Sequence, residues 1–133
     1  MKPIDFIKAA GIAALVLVLN VLIAIIAVFV YSILEPGHPK PFYDAAALRI
    51  APWCSYIAGT ALCFGAGYFC ARRCPQRNGF FFGGAFTIFY AIIDGAMVGF
   101  VGIFALNFVI SMFAKLFAAL AGVFLAQKRM RCN

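Results

Sequence analysis

The sequence predicts an all-α integral membrane protein: four transmembrane helices in an up-down bundle, both termini cytoplasmic, with a short interfacial helix in the first outer loop. Three observations carry this. Four apolar runs, Ala9 to Leu34, Ala51 to Ala71, Phe80 to Val98 and Ile103 to Ala126, approach or exceed the roughly 20 residues of helix that cross ~30 Å of hydrocarbon. The chain is 66% hydrophobic and 11% charged, too few charges to cover a water-facing surface of its own size. The basic residues gather at the ends of the runs, in alternate connections. The 133 residues are read as a single transmembrane domain.

The first run begins after Lys2 and Lys8 and ends in Glu35-Pro36-Gly37. It is much longer than the apolar region of a signal peptide, and it ends without a small-x-small cleavage pattern. The connection from Glu35 to Ile50 carries Pro36, Pro39 and Pro41, which fix φ and remove donors and so keep its first half extended. Asp44 then reads as the N-cap of a short helix through Ala45-Ala46-Ala47-Leu48-Arg49, and Pro52 suits the first turn of the second span. Phe42, Tyr43 and Trp53 fit an aromatic belt at headgroup depth, as part of an interfacial anchor.

The second connection, Arg72-Arg73-Cys74-Pro75-Gln76-Arg77-Asn78-Gly79, is short, and its proline and glycine end one helix and release the next. Arg72, Arg73 and Arg77 hold this hairpin on the cytoplasmic side and are suited to anionic lipid headgroups. Lys128, Arg129 and Arg131 follow the fourth run, so with an even number of spans every basic cluster falls on one side. That pattern predicts a bacterial inner membrane protein with both termini inside. Between the third and fourth runs the polar break is faint. The turn is placed near Gly99-Phe100-Val101-Gly102, because a turn at Asp94-Gly95 would leave a third span too short for a bilayer.

The polar residues within the spans are not scattered. Asn20 and Tyr31 fall on one stripe with Ala13, Ala24 and Ala27; Tyr56 and Thr60 with Cys63 and Gly67; Thr87, Tyr90 and Asp94 with Gly83; Asn107, Ser111 and Lys115 with Ala118 and Gly122. Each stripe recurs at helical spacing, so the inward faces are expected to be small and polar. Close backbone packing accounts for most of these small residues, since helices associate in lipid without a hydrophobic force.

Asp94 and Lys115 stand apart, because an ionisable group in hydrocarbon costs ~2.5 to more than 3.5 kcal/mol and persists with a partner, water or a role. With the turn near residue 101 the two are offset by about 10 Å along the hairpin at a 1.5 Å rise per residue. That is too far for close in-plane contact. Lys115 could reach outward past Ser111, or Ser111 and Asn107 could bridge the gap with water. A register-fixing ion pair and a proton or cation site centred on Asp94 are the two readings of this pair.

Other chemistry is largely excluded. The one histidine, His38, lies in the outer loop, so a paired-histidine haem or zinc site cannot form within the chain, and neither a cofactor nor a metal is expected. Cys54, Cys63, Cys70, Cys74 and Cys132 include no C-x-x-C, which counts against resemblance to the four-helix thiol oxidases; Cys70 and Cys74 read as packing residues. No phosphate-binding loop or serine nucleophile motif is present. The net charge of +7 sits at span ends rather than on a folded basic face, so nucleic acid is not an expected partner. The size and four-span layout are similar to those of small multidrug transporters. Those carry their coupling carboxylate in the first span, where this chain has Asn20, and their mechanism does not transfer.

The expected function is therefore a small transporter or channel for an ion or small solute, a homo-oligomer whose pocket uses Asp94, Lys115, Asn20, Tyr56, Thr60, Tyr90, Asn107 and Ser111. An alternative is a non-catalytic membrane subunit packed against a larger protein or lipid. A second alternative is a lipid- or quinone-modifying enzyme drawing on Glu35, His38, Asp44 and Arg49 of the outer loop, with Tyr43. Enzyme activity is the least expected of the three.

Overall fold

The computed structural model describes residues 3–73, 79–101 and 106–131. Within them the chain is helical in four segments: α1 Pro3–Leu34, α2 Lys40–Arg73, α3 Gly79–Val101 and α4 Leu106–Arg131. All four are long and apolar enough to cross a membrane, and no strand occurs among the described residues. Pro3 opens α1 where its missing N–H costs nothing, and Asp5 lies in the first turn, where a carboxylate complements the helix dipole. Arg72 and Arg73 complement the opposite pole at the end of α2.

Five sequence expectations are corrected here. The outer connection is far shorter than 35–50, because α2 begins at Lys40 and runs without a break through Arg73. Pro39 and Pro41 do not hold the chain extended; they flank the helix start, where proline is favoured, and the Phe42 N–H donates to the Pro39 carbonyl at 3.0 Å. Asp44 is accordingly inside the helix and not its N-cap, and Pro52 lies in the helix interior, so no separate short helix precedes the second span. The turn expected at 99–102 is also displaced, since α3 remains helical through Val101. Residues 102–105, which join it to α4, lie outside the described residues.

What remains of the outer connection is a tight turn closed by side chains. Gly37 has φ +90°, a conformation a side chain disfavours. The Tyr43 hydroxyl donates to the Glu35 carbonyl at 2.7 Å, the His38 N–H donates to the Tyr43 oxygen at 3.4 Å, and the His38 ring stacks on Phe42 at 4.1 Å between centroids.

Chain direction alternates, but neighbours do not follow chain order. α2 packs most extensively on α4, α1 on α2 and α3, and α3 on α4, while α2 and α3 barely touch. The ring around the bundle is thus α1, α2, α4, α3, with α2 parallel to α4. The α2–α4 seam is the closest approach. A Cβ on Gly67 would meet the Ala119 carbonyl and one on Gly122 the Phe64 carbonyl, so each glycine admits the other helix's backbone. Ala9, Ala13, Cys63, Phe86, Tyr90 and Ala119 form the buried core, whereas Phe81, Ile88, Ile92, Phe113, Phe117 and Phe124 are exposed on the outer faces. Apart from Phe86 and Tyr90 on α3, the buried hydrophobic positions of this core are mostly small, as suits close packing of helices whose solvent is lipid.

Candidate functional site

All four helices send polar side chains to one point near the middle of the bundle. Lys115 on α4 is completely buried, with 0% exposure. Its ammonium donates to Ser55 Oγ on α2 at 2.8 Å, pairs with Asp94 Oδ2 on α3 at 3.4 Å, and lies 4.8 Å from the Tyr90 ring centroid. Asn20 on α1 completes the group, its Nδ2 donating to Ser55 Oγ at 3.3 Å and to the Tyr90 hydroxyl at 3.4 Å. A carboxylate, a hydroxyl and an aromatic face together supply what a desolvated ammonium needs.

The helix register explains how the lysine gets there. Along α2 the inward series is Ser55, Gly59, Cys63, Gly67 and Ala71, every fourth residue and all small. At Gly59 a Cβ would stand 2.9 Å from Lys115 Cε, so glycine is the residue that lets the lysine stem cross α2 to reach Ser55. Asp94 is less enclosed, its side chain 16% exposed, and it is the one member of the ion pair open to the surroundings.

The direct Lys115–Asp94 contact corrects the offset expected from sequence. That distance assumes helical rise from residue 101 onward, and the 3.4 Å contact places the two charges side by side instead. No outward reach past Ser111 is needed. Ser111 is itself buried on the same face of α4, and the Asn107 side chain lies outside those described. Tyr56 and Thr60 are half-buried one step round α2 from Ser55 and Gly59, so the Lys115 hydrogen bonds bypass them. Ser55 does not stand out by residue type, because Tyr56 and Thr60 beside it also carry hydroxyls at helical spacing; the run of small residues at 55, 59, 63, 67 and 71 is the signal that points to it.

The other sequence-predicted positions lie away from this centre. Glu35 and His38 meet at 3.5 Å in the outer turn, with side chains about half exposed. Asp44 and Arg49 are exposed on α2 and do not join them. Arg49 borders a groove of about 410 Å³ lined otherwise by Ile23, Ile50, Trp53, Cys54, Ile57 and Ala58. A second groove, about 370 Å³, lies between Phe6, Phe80, Phe81 and Phe89. Both are apolar, and neither is lined by Asp94 or Lys115. Arg72 and Arg73 are exposed at the end of α2, and Arg77 lies outside the described residues. Near that end the Arg129 guanidinium donates to the Tyr68 hydroxyl at 3.3 Å. Among the described residues no three of His, Cys, Asp or Glu gather as a metal site.

The fold and its centre define an integral membrane protein of four helices closed around a buried ion pair. Comparison with protein-family models, curated proteins and solved structures finds no match.

Proposed function

We propose that this protein is a small transporter or channel for an ion or small solute, acting as a homo-oligomer, with the Asn20–Ser55–Tyr90–Asp94–Lys115 centre as its site. The observation that carries the reading is Lys115, an ammonium with no exposure set about 14 Å from the start of α4 and about 24 Å from its end, at ~1.5 Å per residue. A charge at such depth is expensive, and its default explanation is a solute or ion path. Asp94, with its side chain 16% exposed, gives the centre a partly open edge. Four helices enclose little volume, which favours assembly of several copies.

The orientation belongs to the same proposal. Lys8, Arg72 and Arg73, and Lys128 and Arg129 lie toward one end of the bundle, and the Glu35–Lys40 turn toward the other. That charge distribution supports termini in the cytoplasm and a bacterial inner membrane. The first turns of α2, with Phe42 and Tyr43, then sit at the outer interface, and the arginines at the end of α2 meet anionic headgroups.

A second reading, a non-catalytic subunit that packs on a larger membrane protein, is favoured by one observation: the two apolar surface grooves are lined by neither charged member of the pair. Purified protein in liposomes separates the two. Solute-dependent flux that is lost in Asp94→Asn while the helical fold is retained supports transport. Absence of flux for ions and amphipaths alike, with co-purification of one large partner, supports the subunit.

A further inference from the structure

One oxygen in the centre has nothing to accept. Asn20 Oδ1 is buried, on a side chain 6% exposed, and has no hydrogen-bond partner. Turning the amide over does not remedy this, because it sets a donor without an acceptor in the same place, beside an ammonium. An unfilled acceptor in hydrocarbon is costly, so its retention calls for an occupant.

The orphan oxygen borders the space held by Lys115. Asn20 Oδ1 and Lys115 Nζ approach the same point, the position a Cβ would take on Gly59, at 3.3 and 3.5 Å. Around that space stand Asp94 Oδ2, Ser55 Oγ and Asn20 Oδ1: one carboxylate oxygen, one hydroxyl and one amide carbonyl. Hard cations take oxygen ligands of these kinds. Charge decides the valence, because one carboxylate balances one positive charge, and a divalent ion would leave an excess charge in a low-dielectric interior.

We propose that this oxygen set is a monovalent-cation site, in which the tethered ammonium of Lys115 and an alkali cation, Na+ or K+, are alternative occupants. The inference rests on the transport reading and names its solute class. Lys115 fills the site from α4 and must withdraw its stem from Gly59 for the alkali ion to enter. Gly59 therefore matters twice, as the passage for the stem and as the floor of the space it leaves.

The test is thermal unfolding of the full-length protein in detergent, with Na+ or K+ exchanged for choline at constant ionic strength. Lys115→Ala empties the space while leaving all three oxygens. Its unfolding midpoint is expected to rise with the logarithm of the Na+ or K+ concentration, by about 4–6 °C per tenfold increase above the dissociation constant. The wild type, with its ammonium in place, is expected to respond far less. Lys115→Ala with Asp94→Asn is expected to lose the response. Lys115→Leu provides a second route should Lys115→Ala fold poorly, since it removes the ammonium and keeps part of the stem volume while Asp94, Ser55, Asn20 and Gly59 remain. If neither variant shows a cation-specific rise, or if the rise survives Asp94→Asn, the site is not as proposed. Flux in liposomes together with cation-blind variants would overturn this inference alone, whereas a cation response with no flux of any solute would overturn the transport reading.

Discussion

The parallel pair α2 and α4 is held together in opposite ways at two levels. Toward their C-terminal ends the two helices touch backbone to backbone, with Gly67 against Ala119 and Gly122 against Phe64. About two turns along, the same two faces part enough for an entire lysine side chain, received at Gly59 and fixed by Ser55. The residues of α2 that do this form one small-residue series, so the sequence repeat is constant while the partner changes. Small residues in lipid thus serve two purposes: they bring helices together where the opposing residue is small, and they make room where it is long. The dry seam fixes the axis distance, and the polar centre uses the gap that results.

The largest effect is expected in the seam. A Val at Gly122 would place its Cβ on the Phe64 carbonyl and close to the Tyr68 nitrogen, and backbone atoms cannot swing aside as a side chain end can. Gly122→Val should therefore destabilise by about 5 kcal/mol or more, well above the usual cost of overpacking. Gly84→Val is the control, since a Cβ there meets nothing within 4 Å. Denaturant unfolding in mixed micelles reads both. Equal, small losses in the two variants would mean that α2 and α4 are not in backbone contact.

How far the sequence showed all this follows the physics of each feature. In a chain surrounded by lipid, a polar or small residue every third or fourth position marks an inward face, so the stripes through Asn20, Tyr90, Asp94 and Lys115 stood out without any structure. On α2 polarity was misleading. Tyr56 and Thr60 are tolerable at half-buried positions, whereas Ser55 and Gly59 are required by what crosses in front of them, and that requirement comes from another helix. Periodicity within one helix does not specify which residues it meets on the next. The Lys115–Asp94 distance was misjudged for a related reason: axial offset across a hairpin depends on the connection, and hydropathy says nothing of connection geometry. The ring order α1, α2, α4, α3 was likewise invisible, since alternating direction is compatible with more than one arrangement of neighbours.

The polar centre should respond less violently than the seam but more selectively. Asp94→Ala removes the carboxylate and leaves a fully buried ammonium with Ser55 and the Tyr90 ring, an expected loss of about 3–5 kcal/mol. Lys115→Met removes the ammonium and keeps most of the stem volume. It leaves Asp94 on the partly open side of the bundle, where the carboxylate can find water, so its cost should be the smaller of the two. The double variant should be more stable than Asp94→Ala alone, because no unpaired buried charge remains. A double-mutant cycle in the same micelles measures the coupling. Additive losses would show that Lys115 does not depend on Asp94, and would leave Ser55 as its principal partner.

The smallest effect lies at the far end, where the α1–α2 hairpin closes without either device. There the turn depends on one conformation, Gly37 at φ +90°, and on hydrogen bonds from Tyr43 to Glu35 and from His38 to Tyr43 that are exposed. A Cβ on Gly37 would meet nothing within 4 Å, so the cost of Gly37→Ala is purely conformational, about 1 kcal/mol. The bundle below should be untouched, because neither the seam nor the charged centre borrows a residue from the turn. Gly37→Ala is therefore expected to lower the unfolding midpoint slightly and to leave the coupling energy of Asp94 and Lys115 unchanged. A change in that coupling would mean that the outer turn and the buried centre move together, and the independence of the two ends of the hairpin would have to be given up.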